Sequence, residues 1–264
     1  MPTPAFLDSA LDVAKRAARA AAEVIAEHYR AGTDVEIKAD QTPVTIADRE
    51  SEAAIKRVLR EAFPDHAYYG EEEGREGDSD FLWLIDPIDG TRSFVRGYPM
   101  FSTQIALMYR GELVLGVSSA SEFGELAWAR KGGGAFLNSA LLSGAPIRVA
   151  TTNAFDAQTA ISFGNVKTLS RGPGWNALAG LIQRCGRTRG YGDFYHYHLL
   201  ARGSLDLVIE SDVNILDIAA LAVIVREAGG AFTDLAGREL TLATTSVLAG
   251  TPDLHRQALG LGLM

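Results

Sequence analysis

A single cysteine, Cys185, is the only thiol in 264 residues. No intrachain disulfide can form, which fits a reducing cytoplasm. Cys185 ends a helical pattern and reads as a packed residue. Positive charge is also scarce. The 25 Lys and Arg residues stand against 33 Asp and Glu, for a net charge of −8 and a pI of about 5.2. Such a chain has no long-range attraction for nucleic acid or for an anionic membrane. No apolar run reaches the roughly 18 residues of a membrane helix. Asp8, Asp12, Lys15 and Arg16 interrupt the first apolar positions, so no signal peptide is expected. Internal repeats and low-complexity segments are missing too. What is present is 47% hydrophobic content, ample for a large core in one unit or in two closely packed halves.

The stretch Trp83-Leu84-Ile85-Asp86-Pro87-Ile88-Asp89-Gly90-Thr91-Arg92-Ser93-Phe94 organises the rest. Phe81 to Ile85 reads as a buried strand. It is expected to stop at Asp86-Pro87, since proline cannot continue a central strand. Asp89 follows three residues after Asp86, and Gly90-Thr91 lead into a helix start. Paired carboxylates select hard cations such as Mg²⁺, and free N–H groups at a helix start suit a phosphate oxygen. An Asx-rich turn with Asp89 capping the helix explains the same residues.

Elsewhere, Ala5 to Tyr29 predicts an amphipathic helix, Val35-Glu36-Ile37 a short strand, and Asp48 to Phe63 a second helix. Tyr68-Tyr69-Gly70 predicts a strand, and the glycine- and acid-rich residues 74–80 a mobile loop. Strands Thr103 to Tyr109 and Leu113 to Ser119 form a hairpin, as do Leu126 to Ala129 and Ala135 to Leu137. Beyond a boundary at Arg148 to Asn153 the pattern alternates. It gives strand Ala160 to Phe163, helix Trp175 to Cys185, strand Thr188 to Tyr191, helix Phe194 to Arg202 and strand Leu205 to Glu210. Helix Ile215 to Ala228 and strands at Ala231-Phe232 and Val247-Leu248 complete it. Two halves follow: residues 1–148, α+β, and residues 149–264, α/β.

The twelve-residue stretch resembles the signature of the inositol-monophosphatase superfamily, the Mg²⁺-dependent, lithium-sensitive phosphatases. Further motifs occur in family order over nearly the whole chain. By that resemblance the halves stack as a layered αβαβα sandwich with the metal site between them. Asp86, Asp89 and the Ile88 carbonyl become metal ligands. Gly70-Glu71-Glu72 resembles the G-E-E motif, which makes Glu71 a ligand and a catalytic residue, with Glu72 in support. As residues alone they belong to a solvated acidic loop.

Asn214-Ile215-Leu216-Asp217-Ile218-Ala219-Ala220 resembles W-D-x-A-A, whose Asp closes the metal site. Leu216 replaces the usual Trp, and Asp217 read alone serves the helix macrodipole. Lys38-Ala39-Asp40-Gln41-Thr42-Pro43-Val44-Thr45-Ile46-Ala47-Asp48 resembles K-x-D-x-S-P-V-T-x-A-D. Lys38 then supports the site, and Asp48, otherwise an N-terminal helix acid, accepts a hydrogen bond from Thr91. That pair orients and deprotonates water, while the Gly90 and Thr91 N–H groups hold phosphate. The family implies two or three Mg²⁺ ions, inhibition by Li⁺, and a homodimer.

Tyr191-Gly192-Asp193-Phe194-Tyr195-His196-Tyr197 bears on the substrate. It looks like the G-D-x-x-x-Y pattern of histidinol-phosphate phosphatases within the superfamily. A carboxylate and aromatic faces suit the ammonium and imidazole of that ester. Glu210 resembles the family's substrate-contacting acid. Read without the family, Asp193 caps a helix and Glu210 is a surface charge. His196 and His198 are given no role. The expectation is a Mg²⁺-dependent phosphomonoesterase of histidine biosynthesis acting on L-histidinol phosphate. An inositol-1-phosphate or related sugar-phosphate monophosphatase is the alternative, a nucleotide bisphosphate phosphatase a third, and a non-catalytic metal- or phosphate-binding relative a fourth.

Overall fold

The computed structural model describes residues 1–31, 35–37 and 43–263; Lys38 lies outside them. An outer layer pairs helices α1 (Pro4–Ala31) and α2 (Ile46–Ala62), joined by a ribbon of β1 (Val35–Ile37) and β2 (Pro43–Thr45). The alanines of α1 explain the close fit: Ala10, Ala14, Ala17, Ala18 and Ala21 are fully buried. They belong to one apolar cluster with Trp83, Ile85 and Ile105.

Beneath lies an eight-stranded sheet of β3 (Ala67–Gly70), β4 (Gly74–Glu76), β5 (Phe81–Asp89), β6 (Ser102–Tyr109), β7 (Glu112–Ala120), β8 (Glu125–Arg130), β9 (Gly134–Asn138) and β10 (Ala145–Ile147). Its order is β10-β9-β8-β7-β6-β5-β3-β4. The short helix α3 (Thr91–Val95) follows β5. A five-stranded sheet holds β11 (Ala160–Phe163), β12 (Arg187–Arg189), β13 (Leu207–Ser211), β14 (Ala231–Thr233) and β15 (Ser246–Gly250), ordered β12-β11-β13-β15-β14. Helices α4 (Val166–Leu169), α5 (Trp175–Arg184) and α8 (Pro252–Leu259) cover its outer face. Helices α6 (Tyr195–Ala201) and α7 (Ile215–Glu227) fill the space between the sheets. The layers are therefore αβαβα, as the resemblance implied. Among the described residues no helix is long and apolar enough to cross a membrane.

Helix α7 is buried almost all round, from Ile215 to Val225, because it is apolar on every face and packs against both sheets. Its fit to β7 is at backbone level: a Cβ added to Gly116 would lie 2.3 Å from the Ala220 carbonyl oxygen.

Two expectations need correction. Residues 74–76 are not loop but strand β4, paired antiparallel with β3. Glu76 there is held by Lys56 at 2.9 Å and by Arg60. Strand β5 also does not stop at Pro87. It runs on to Asp89 through a register shift, pairing Asp86 with Gln104 but Asp89 with Ser102. One extra residue is accommodated there, and a bulge is where a sheet tolerates proline.

Replacing Gly116 by alanine should force α7 away from β7 and destabilise the protein by about 1–3 kcal/mol. Urea unfolding checks this; an unchanged midpoint would show that the helix yields freely.

Candidate metal centre and its cavity

The bulge sets the site. In a regular strand residues three apart point to opposite faces. The additional residue turns Asp86 and Asp89 to the same side, and α7 brings Asp217 to meet them. One carboxylate oxygen from each lies within 4.8 Å of the others. Asp217 is fixed by its own helix start, where Asn214 donates to it from its backbone N–H (2.8 Å) and from Nδ2 (2.6 Å). Leu216, in place of the usual tryptophan, is buried in the central core.

Burial pushes the Asp86 carboxyl well above the usual range, reinforced by Glu71, Asp89 and Asp217. Burial does the same to Asp89, with Asp193, Asp217, Glu210 and Glu71 adding to it. Asp217 is driven to about 7, chiefly by burial, then by Glu71 and Glu210. Asp86 Oδ1 is buried with no hydrogen-bond partner. A buried carboxyl oxygen without a partner, among crowded acids, is part of a donor set that a hard cation would satisfy.

Glu71 is outside the tightest trio, yet its charge bears on Asp48, Asp86, Asp89 and Asp217. The Glu71 N–H donates to Ile85 at 3.2 Å. The next two N–H groups, of Glu72 and Glu73, donate to the Glu52 carboxylate at 2.7 and 3.1 Å. Glu52 is wholly buried and pairs with buried Lys56 at 2.7 Å. Sequence reasoning missed both residues. Their i,i+4 spacing on α2, beside an acid-rich loop in need of a cation, was the available signal.

Thr91 and Asp48 meet as expected: Thr91 Oγ1 lies 3.2 Å from Asp48 Oδ1 and 3.0 Å from the Ile88 carbonyl. Asp48 Oδ2 accepts the Thr45 N–H and hydroxyl, both at 2.7 Å, and so also caps α2. Burial raises the Asp48 carboxyl against those bonds. Gly90 starts α3 at φ +89. A Cβ there would lie 2.6 Å from the Met100 carbonyl oxygen and 3.0 Å from Asp193 Oδ2, so only glycine fits the turn.

A cavity of about 680 Å³ opens beside the trio. Asp89, Arg92, Gly164, Asn165, Asp193, Tyr197, Glu210, Asp212 and Asp217 are in its walls. Asp193 does not cap α6; Phe194 occupies the cap position without a side-chain bond. The expected aromatic surface is not there. Phe194 is buried, and Tyr195 stacks on Phe123 and lines a different pocket. Of the three aromatics only Tyr197 reaches the cavity. Cys185 is half-buried with its thiol pushed up to about 11 by burial, unsuited to nucleophilic work.

A model of the inositol monophosphatase family matches residues 7–261. The chain belongs to that family. Within the inositol monophosphatase family it is 39% identical to a histidinol-phosphatase of Streptomyces coelicolor, over 89% of this chain and 90% of that one. It is 36% identical to Nus factor SuhB of Pasteurella multocida, over 94% of each. Among solved structures, an inositol monophosphatase from Zymomonas mobilis matches with a TM-score of 0.84 at 32% identity, covering 97% of this chain and 98% of that one. The protein is a phosphatase of this family.

The acids make a prediction about metal-free protein. Asp217 stands at about 7 against an ordinary 3.8. Between those values the native state binds more protons than the unfolded chain, so this group's contribution to stability falls as pH rises through that window. With metal chelated, Asp217→Asn should therefore gain in melting temperature relative to wild type between about pH 4 and pH 7, and Mg²⁺ should shrink the gain. A difference that does not vary with pH would contradict it.

Proposed function

We propose that this phosphatase hydrolyses L-histidinol phosphate and that it requires Mg²⁺. The observation that carries the substrate is the pair Asp193 and Glu210 in the wall of the cavity that Asp89 and Asp217 also line. Burial and the Glu210 charge raise the Asp193 carboxyl. A cationic substrate relieves that repulsion, while a neutral polyol does not.

Glu71, Asp86, Asp89, Asp217 and the Ile88 carbonyl would hold the metal, an all-oxygen set suited to Mg²⁺. When bound, Mg²⁺ would supply neutralisation of phosphoryl charge and acidification of water. The Gly90 and Thr91 N–H groups hold phosphate oxygens. The Thr91 hydroxyl and Asp48 orient the attacking water, and Asp48 takes its proton. A bond from water oxygen to phosphorus forms, the ester P–O bond breaks, and the departing alkoxide takes a proton from solvent water while Asp48 returns its own to solvent. Positioning and charge neutralisation do most of the work in such a transfer. An inositol-1-phosphatase is the second reading, favoured by the likeness to the Zymomonas mobilis enzyme.

Asp89→Asn should lower kcat by at least about 10²-fold while circular dichroism stays native. A near-normal kcat with unchanged Mg²⁺ dependence, or an unfolded variant, would remove Asp89 from the site.

Specificity separates the two readings. A charge-assisted bond in a desolvated pocket is worth roughly 1.5–3 kcal/mol, so histidinol phosphate should exceed inositol-1-phosphate in kcat/KM by at least about tenfold. Asp193→Asn should erode that advantage and spare the neutral ester. An equal loss for both substrates would end the claim for Asp193, and a wild-type preference for the inositol ester would promote the second reading.

A further inference from the structure

Glu210 is a braced acid of the cavity wall. It lies one residue before the end of β13, and its side chain lies against Gly164, where an added Cβ would come 2.3 Å from Glu210 Cγ and 2.4 Å from Oε1. Two donors converge on its other oxygen. The Tyr197 hydroxyl bonds Oε2, and His196 Nε2 lies 3.1 Å from the same atom. Both rings are fully buried.

The proton order follows from one more bond. The Tyr191 N–H donates to Ser162 Oγ at 3.1 Å, and Ser162 Oγ lies 3.2 Å from His196 Nδ1. With the Glu210 carboxylate as the acceptor at His196 Nε2, the serine hydrogen is the one that reaches Nδ1. His196 then donates its Nε2–H to Glu210. Burial, then the Glu210 charge, raises the Tyr197 phenol well above its usual value, so Tyr197 stays a donor as well. The chain runs in one direction, from the Tyr191 N–H through Ser162 and His196 to Glu210 Oε2.

We infer that His196 and Tyr197 are positioning residues for substrate choice. They occupy Glu210 Oε2 and fix the orientation of the carboxylate, which presents Oε1 to an N–H⁺ group of the substrate. The inference rests on the cationic-substrate reading above and assigns a task to two residues that touch neither phosphate nor metal ligands. A Glu210 without this brace could swing, share both oxygens with water, and lose the directional preference for a cation.

The test compares wild type, Tyr197→Phe, His196→Gln and His196→Leu on histidinol phosphate and on glycerol 2-phosphate, whose alcohol portion is uncharged, with Mg²⁺ present. Calorimetric titration with L-histidinol, which lacks the phosphate, adds a readout independent of turnover. Removing one donor should raise KM for histidinol phosphate about three- to tenfold with kcat within about twofold. L-Histidinol binding should weaken in proportion. His196→Gln, which keeps an N–H donor, should retain more of the preference than His196→Leu. Tyr197→Phe keeps the test decisive if the leucine variant does not fold. A fall in kcat shared by both substrates, or an unchanged substrate ratio and L-histidinol affinity in Tyr197→Phe, overturns the inference and leaves the cationic-substrate reading standing. A wild type that shows no preference for histidinol phosphate removes that reading and the inference with it.

Discussion

Mutual repulsion among carboxylates is the constraint that the rest of this architecture serves. Asp86, Asp89 and Asp217 come together in a buried position, and Glu71, Asp193 and Glu210 press on them electrostatically. Left to themselves such groups separate or take up protons. Each is denied the first course by a separate device. The bulge in β5 aims two of them, the start of α7 anchors the third, and Glu52 with Lys56 ties down the loop that carries Glu71. A cluster of like charges held this close could bind a metal ion, as fits a family whose members are generally metal-dependent.

Much of this was legible before any coordinates. The periodicity of α1 and α7, the hairpins of the first half and the alternation of the second were readable because burial follows period. The acids of the site were readable through their motifs. What was not readable has physical reasons. Pro87 signals a strand end locally, and only pairing with β6 shows that a bulge absorbs it. Residues 74–76 look like loop because glycine and acids are poor strand formers; a neighbouring strand and two cations overrule that preference.

The readings of Asp48 and Asp217 as helix acids or as site residues were posed as alternatives. The structure shows each acid bonding its own helix start while facing the cluster. One side chain with two oxygens can do both. The aromatic run after Asp193 shows the opposite failure. Spacing places Phe194, Tyr195 and Tyr197 in sequence but not on one face, and α6 sends two of them elsewhere. His196 was passed over because a lone histidine in a helix is usually a packed residue. Here it is packed and also wired to an acid.

The contact between Gly116 and Ala220 has an evolutionary corollary. Strand and helix meet there through main-chain atoms, so no rotamer cushions the spacing between the eight-stranded sheet and the helix that bears Asp217. Exchanges of apolar side chains elsewhere alter volume without altering that distance. Asp193 lies in the turn before α6, and Glu210 lies on β13 of the smaller sheet. A change in the turn or in the smaller sheet can therefore alter the cavity wall while the spacing between β7 and the helix that bears Asp217 is kept.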